Sequence, residues 1–169
     1  MRPRPTLVLL VCLVAASVAR PASALAQFGK FRGRRAPGNI TVGVRGGRDF
    51  ENHAWSAGGQ LSLPLVNRIE LRPSGDYYFG DATPFRWQLN ADGIFRFGPG
   101  GTVYGGGGAA FTRVRPIDKV KTGYNLFFGL EFARPTARSK PFAEFRWTFV
   151  NGTSPFRLVA GISTVVGKL

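Results

Sequence analysis

The sequence predicts an all-β protein, an eight-stranded antiparallel up-and-down transmembrane β-barrel. Three observations predict it. Seven stretches alternate apolar and polar residues with a period of two, and an eighth is apolar on both faces, all separated by clusters of Gly, Pro, Asp and Asn. Their apolar side carries Trp, Phe, Leu and Tyr, while their polar side mixes Arg, Asp, Glu, Asn and Gln with Gly, an unusual make-up for a face turned to water. An export leader precedes them all. With 23 Gly, 12 Pro and 13% aromatic residues, the composition favours strands and turns. No apolar i, i+3, i+4, i+7 stripe marks a helix after the leader.

The leader comes first in the chain. Arg2 and Arg4 form a basic lead, and Thr6 to Val18 is an apolar run too short to cross a bilayer as a helix, which takes roughly 20 residues. Ala24-Leu25-Ala26 supplies the small-x-small pattern of a signal-peptidase site, so cleavage is expected before Gln27. Ala22-Ser23-Ala24 is the alternative. Residues 1–26 are thus read as the leader, 27–38 as a basic arm and 39–169 as the barrel. Cys12 is the only cysteine, so the exported chain has neither a disulfide nor a thiol nucleophile.

The chain holds 23 Lys and Arg against 9 Asp and Glu, and losing Arg2, Arg4 and Arg20 with the leader does not remove that excess. A strongly basic chain suits nucleic acid, an anionic membrane surface or a solvated face. Export argues against nucleic acid and for the membrane. Lys30, Arg32, Arg34 and Arg35 make the arm either a solvated tail or a phosphate-binding one.

The strands follow in order. The first sets Ile40, Val42 and Val44 against Thr41, Gly43 and Arg45. The second sets Trp55, Ala57, Gly59, Leu61, Leu63 and Leu65 against Ser56, Gly58, Gln60 and Ser62. In the third, Ile69, Leu71, Pro73 and Tyr77 oppose Arg68, Glu70, Arg72, Ser74 and Asp76. The fourth puts Phe85, Trp87, Leu89, Ala91, Gly93, Phe95 and Phe97 on one face and Arg86, Gln88, Asn90, Asp92 and Arg96 on the other. Val103, Gly105, Gly107, Ala109 and Phe111 share a face of the fifth. Tyr124, Leu126, Phe128, Leu130 and Phe132 oppose Asn125, Gly129 and Glu131 in the sixth. In the seventh, Ala143, Phe145, Trp147 and Phe149 oppose Glu144, Arg146 and Thr148. Phe156 to Leu169 is apolar on both faces, so its orientation stays open.

Alternate links are short: Val66–Arg68, Gly98–Gly101 and Pro135–Lys140, expected on the periplasmic side. The others, Gly46–Ala54, Phe79–Pro84, Pro116–Thr122 and Asn151–Pro155, are expected outside. All fit hairpins.

Large aromatic and aliphatic side chains would overfill an eight-stranded barrel, whose interior is just wide enough for side chains. Turning them to lipid removes the conflict. Trp55, Leu61, Leu63, Phe85, Trp87, Leu89, Phe95, Leu126, Phe128, Leu130, Phe145 and Trp147 are therefore expected to face lipid. The interior then receives Arg45, Arg68, Glu70, Arg72, Asp76, Arg86, Asp92, Arg96, Glu131, Glu144 and Arg146. Buried charges persist when paired and hydrogen-bonded, so an ion-pair network plugging the lumen is expected. Gly106, Gly108 and Ala110 would make room for the arginines. The alternative is a soluble periplasmic lipocalin-like binder, which would carry the charges outside and an apolar ligand within.

The runs VNRIELRPSGDYY, VYGGGGAA, NLFFGLEF and PFAEFRW, taken in order, resemble the small outer-membrane β-barrel domain family, with its opacity-type, OmpW-type and OmpA-type members. The resemblance implies the fold and an outer-membrane location, with outer-membrane lipids and the barrel-assembly machinery as partners. Such barrels usually end in an aromatic residue read by that machinery, whereas this chain ends Val165-Val166-Gly167-Lys168-Leu169. Activities differ among the members, so the resemblance implies none.

No constellation specifies catalysis, and a non-enzymatic protein without cofactor or metal is expected. His53 is the single histidine, in the first outer link beside Trp55 and Ser56. It lacks the strand-borne Ser and His arrangement of a lipid A deacylase. Glu131 and Glu144 on neighbouring strands could act as an acid–base pair, but they also suit the lumen network. Gly105–Gly108 has no following Lys-Ser/Thr and no helix, so it is no phosphate cradle. Arg45–Arg48 (RGGR) is a strand end entering a loop rather than an RNA-binding motif. The expected role is structural or through surface contacts, with passage of small or hydrophobic solutes as the alternative.

Overall fold

The structure, a computed structural model, describes residues 38–80, 83–97, 102–115, 118–132, 137–150 and 152–168. The leader and nearly all of the basic arm lie outside the described residues. Eight strands make up the fold: β1 (Asn39–Asp49), β2 (Ala54–Val66), β3 (Ile69–Phe79), β4 (Phe85–Phe97), β5 (Val103–Val114), β6 (Lys119–Glu131), β7 (Ser139–Phe149) and β8 (Phe156–Lys168). Each pairs antiparallel with the next, and β1 closes on β8. Closure leaves no free edge strand along the body of the barrel.

The near end carries the links after β2, β4 and β6, together with the pairing of Asn39 and Lys168. The far end carries, among the described residues, 50–53, 80, 83–84, 115, 118, 150 and 152–155. Strands run further toward the far end than the sequence suggests. Gly46 and Gly47 read as the start of a loop, yet they pair with Ala57 and Ser56 on one side and Ala160 and Val159 on the other. Ladder bonds on both edges hold glycine extended where its own preference would not.

Alternation governs the wall, with buried positions facing the bore. In β1, Thr41, Gly43, Arg45, Gly47 and Asp49 point inward, while Val42 and Val44 point out. The open question of β8 resolves the same way: Arg157, Val159 and Ser163 face the bore, and Leu158 and Ile162 face outward. A register shift falls between Ile40 and Thr41 where β1 meets β8. Another falls between Phe85 and Trp87 where β4 meets β5, and it reverses the parity of the first β4 residues.

Candidate functional site

The chemistry of this chain lies inside the barrel, so the bore and its wall are the candidate site. Its first tier is at the near end. Arg96 Nε of β4 donates to Glu70 Oε1 of β3 at 2.5 Å, and its Nη2 reaches Glu131 Oε2 of β6 at 3.1 Å. Lys140 of β7 meets the other oxygen of Glu131 at 3.2 Å. Four strands are tied across the opening by this chain of charges.

The middle tier centres on Arg146, fully buried with both its carboxylate partners. Its Nε donates to Glu144 Oε1 at 2.8 Å, and its Nη1 stands 2.8 Å from Asp92 Oδ2. Arg72 comes from the opposite wall to Glu144 Oε2 at 3.2 Å and donates to Ser62 Oγ at 3.1 Å. Tyr104 Oη donates to the same Glu144 oxygen at 3.3 Å.

Above it, Arg45 grips Asp76 with two parallel bonds, Nε to Oδ1 at 2.8 Å and Nη2 to Oδ2 at 2.5 Å. Arg157 adds a second cation to Asp76 at 3.4 Å and donates to Thr148 Oγ1 at 3.2 Å. A neutral ladder runs beside them. Tyr78 Oη donates to Gln88 Oε1 at 2.9 Å, Gln88 Nε2 to Asn90 Oδ1 at 2.5 Å, and Thr148 Oγ1 to Asn125 Oδ1 at 2.8 Å. Asn125 Nδ2 joins Asn90 and Asp92 at 2.8 and 3.1 Å.

Toward the far mouth the lining turns apolar. Ala54, Tyr78, Phe85, Val114 and Val150 form one buried cluster, with the Tyr78 and Phe85 rings 5.7 Å apart. Asp49 fastens the adjoining link by accepting from the backbone N–H of Glu51 and Asn52 at 3.0 and 2.9 Å.

The glycines of β5 and β6 make room, but for rings rather than arginines. A Cβ on Gly129 would fall on the Tyr104 ring, and one on Gly106 would meet Phe127 Cζ at 2.7 Å. The guanidiniums then lie over those rings. Arg72 sits 4.8 Å and Arg96 5.7 Å from the Tyr104 centroid, and Arg146 sits 4.5 Å from that of Phe127. Stacking of this kind stabilises a desolvated cation that also has a carboxylate partner.

Of the residues expected inside, Arg45, Arg72, Asp76, Asp92, Glu144 and Arg146 are buried there, and Glu70, Arg96 and Glu131 sit at the partly open near end. Two differ. Arg68 stands exposed in the tight β2–β3 turn at φ 66°, and only its backbone carbonyl takes part, accepting from Arg96 N–H at 2.9 Å. Arg86 faces outward, its side chain 49% exposed, 3.7 Å from Asp118. Its neighbour Phe85, expected in lipid, is 3% exposed inside the far mouth. The β4 irregularity causes both differences, since one extra residue exchanges the faces.

The other residues expected outward lie there, Trp55, Leu89, Phe95, Leu126, Phe128, Phe145 and Trp147 exposed and Leu61, Leu63, Trp87 and Leu130 half-buried. Arg157, Lys140, Tyr78 and Tyr104 were not anticipated. Parity with Asp76 and Gly106 pointed inward for the two tyrosines, whereas Arg157 depended on the β8 orientation that its two-sided apolar sequence left open. His53 is exposed in its link at φ 49° while Ser56 is buried facing the bore, so the two form no hydrolytic pair. Glu131 and Glu144 belong to different tiers, each held by its own cations. Among the described residues, no group of three His, Cys, Asp or Glu gathers to hold a metal ion.

No protein-family model matches the chain, and no curated protein matches it. Solved structures do. The N-terminal β-barrel domain of Pseudomonas aeruginosa OprF is similar with a TM-score of 0.64 at 20% identity, over 76% of this chain and 98% of that one. Neisserial surface protein A is similar at 0.56 and 15% identity, over 78% of this chain and 100% of that one. A de novo designed transmembrane β-barrel is similar at 0.54 and 14%, over 78% and 98%. At such identities the likeness shows the fold, the closed eight-stranded antiparallel barrel of transmembrane proteins.

Proposed function

We propose that this chain is an integral outer-membrane β-barrel protein of the small outer-membrane barrel family. In this reading it is non-enzymatic and acts structurally or through surface contacts of its far-end links, with a lumen closed by its own ion pairs. The inside-out distribution of side chains carries the reading. Val44 is 64% exposed, Trp55 61% and Leu89 53%, whereas Arg146, Glu144 and Asp92 are shut in the bore. In water that arrangement would expose an apolar surface far beyond what soluble monomers carry. In a bilayer every outward residue has its solvent.

Aromatic clusters support it. Tyr124 and Phe149 stack at 4.7 Å, and Trp147 and Phe156 lie 5.1 Å apart toward the far end. Phe95 and Phe97 meet at 5.0 Å toward the near end. Girdles at both ends suit the two interfaces of a membrane. The export leader read from the sequence and the likeness to a Neisserial surface protein agree with an outer-membrane address.

Fractionation of cells expressing the full chain tests this, followed by gel electrophoresis with and without boiling. The expected result is recovery with the outer membrane and a mobility that changes on boiling, because a closed ladder resists detergent. A soluble periplasmic protein of one mobility would overturn the reading.

A further inference from the structure

The far rim is unevenly charged. Arg86 of β4, Arg113 of β5, Arg115 just beyond it, and Lys119 and Lys121 of β6 gather on adjoining strands. Asp118 is the sole carboxylate among the described residues at the far end of that hairpin, and Asp81, in the neighbouring link, lies outside them. The rest of the rim differs. Residues 50–53 carry Glu51 beside Asp49 and Arg48, and residues 150–155 carry no charged side chain.

Lys119 and Lys121 share the bore face of β6 with Asn125, whereas Arg86, Arg113 and Arg115 sit on the outer face above an apolar wall. Leu89, Phe111, Val120 and Leu126 are exposed on the outer face of the same three strands. Arg86 is outward because of the β4 irregularity, which also brings it beside Arg113. Asp118 holds the two together: its Oδ1 accepts from Arg113 Nε at 2.6 Å and lies 3.7 Å from Arg86 Nη1. Asp118 takes Arg113 Nε and Nη2 on its two oxygens, and one carboxylate between two guanidiniums of five N–H donors each leaves the cluster a clear positive excess.

We propose that this rim binds a membrane lipid with a phosphate monoester head group, the phosphate held by Arg86, Arg113 and Arg115 and the acyl chains lying against the β4–β6 wall. The inference rests on the outer-membrane reading and deepens it. Charge complementarity selects the occupant. Guanidinium forks match phosphate oxygens in pairs, a monoester carries more charge than the diester of a zwitterionic lipid, and only an amphiphile fits cations placed above an apolar surface. A free phosphate would use the rim and ignore the wall.

Trp87, one residue from Arg86, is the reporter, and Trp147 on β7, with no cation beside it on the outer face, is the control. Full-length chains keeping one of these tryptophans, the other two replaced by Phe, are folded into phosphatidylcholine vesicles. The vesicles contain a minor fraction of brominated phosphatidic acid, or the same fraction of brominated phosphatidylcholine. Preferential quenching of Trp87 by the phosphatidic acid, and not of Trp147, is expected. It corresponds to an enrichment of about fivefold or more, the factor one basic residue contributes near an anionic surface. Replacing the three arginines (R86Q, R113Q, R115Q) should abolish it, and Asp118→Asn should strengthen it by freeing both guanidiniums.

Equal quenching by the two lipids would overturn the inference, as would a preference that survives the triple substitution. Inorganic phosphate that displaces the lipid at matched concentration would assign the rim to free phosphate and overturn the lipid assignment. Failure of the unsubstituted chain to enter vesicles with a boil-sensitive mobility would instead strike the outer-membrane reading. Insertion without lipid preference strikes this inference alone.

Discussion

Arg146 and Arg113 show how differently two arginines of one barrel are placed. Arg146 is fully buried between Glu144 and Asp92, each 2.8 Å away, while Arg113 is partly exposed at the rim with Asp118. Removing one partner of a buried ion pair leaves an uncompensated charge and costs about 3–5 kcal/mol. An exposed pair contributes about 1 kcal/mol or less. Arg146→Met is therefore predicted to lower the free energy of unfolding by about 3 kcal/mol or more, and Arg113→Gln to leave it almost unchanged. Urea titration of vesicle-bound protein, followed by tryptophan fluorescence, checks the difference. Asp118 makes a second prediction. The Arg113 hydrogen bond, aided by the nearby charges of Arg113 and Arg86, holds its carboxyl below the usual carboxylate range. A lowered folded-state pKa means that this pairing is present above the ordinary carboxylate pKa and is lost as pH falls through the lowered one. Carbon-detected NMR should find the Asp118 midpoint below that of an unpaired Asp, moving back up in Arg113→Gln. Sequence parity placed Arg146 inside but gave no sign of the Arg86–Asp118–Arg113 group, which depends on one extra residue in β4.

At the scale of strands, glycine decides how closely neighbours approach. A Cβ on Gly108 would fall on the Ala91 carbonyl oxygen and stand 2.6 Å from Asp92 Cα, so β4 and β5 would have to part. A Cβ on Gly93, facing outward on β4, would meet only the Gly107 carbonyl oxygen at 3.8 Å. Gly108→Ala is predicted to cost about 1–3 kcal/mol through overpacking, and Gly93→Ala to stay within about 0.5 kcal/mol as an ordinary surface change. The same urea titration separates them, and equal costs would mean that the strands adjust freely. The glycine run of β5 was legible as strand because residues on either side keep their alternation. Which glycines are crowded was not legible, because crowding is set by carbonyls of the neighbouring strand. Closure itself was legible in the count of strands and their hairpin links, but its register was hidden for the same reason. β1 and β8 are the strands furthest apart in sequence, and their pairing brings Arg157 within reach of Asp76.

For the whole molecule, six cations (Arg45, Arg72, Arg96, Lys140, Arg146 and Arg157) meet five carboxylates (Glu70, Asp76, Asp92, Glu131 and Glu144) across the bore. The apolar cluster of Ala54, Tyr78, Phe85, Val114 and Val150 lies toward the far mouth from them. Alternation of polar and apolar residues made an interior of this character readable, since a period of two assigns faces without knowledge of neighbours. The apolar mouth was not readable, because Phe85 reaches it only through the reversed parity of β4. Charged tiers and apolar mouth stand in series along one path, so an ion must pass both, and the narrower sets the conductance. The intact protein in a planar bilayer is predicted to show no stable open level. Phe85→Ala alone should leave it closed, because the ion pairs still cross the bore, and Glu144→Gln with Arg72→Gln should leave it closed behind the apolar mouth. The combined substitution loosens the apolar mouth and the middle tier but leaves the Arg96–Glu70–Glu131–Lys140 and Arg45–Asp76–Arg157 tiers across the bore, so it too is predicted to stay closed. Steady conductance in the intact protein would transfer the functional reading to solute passage. Openings in Phe85→Ala alone would show that the charged tiers leave a continuous path and that the far mouth by itself closes the barrel.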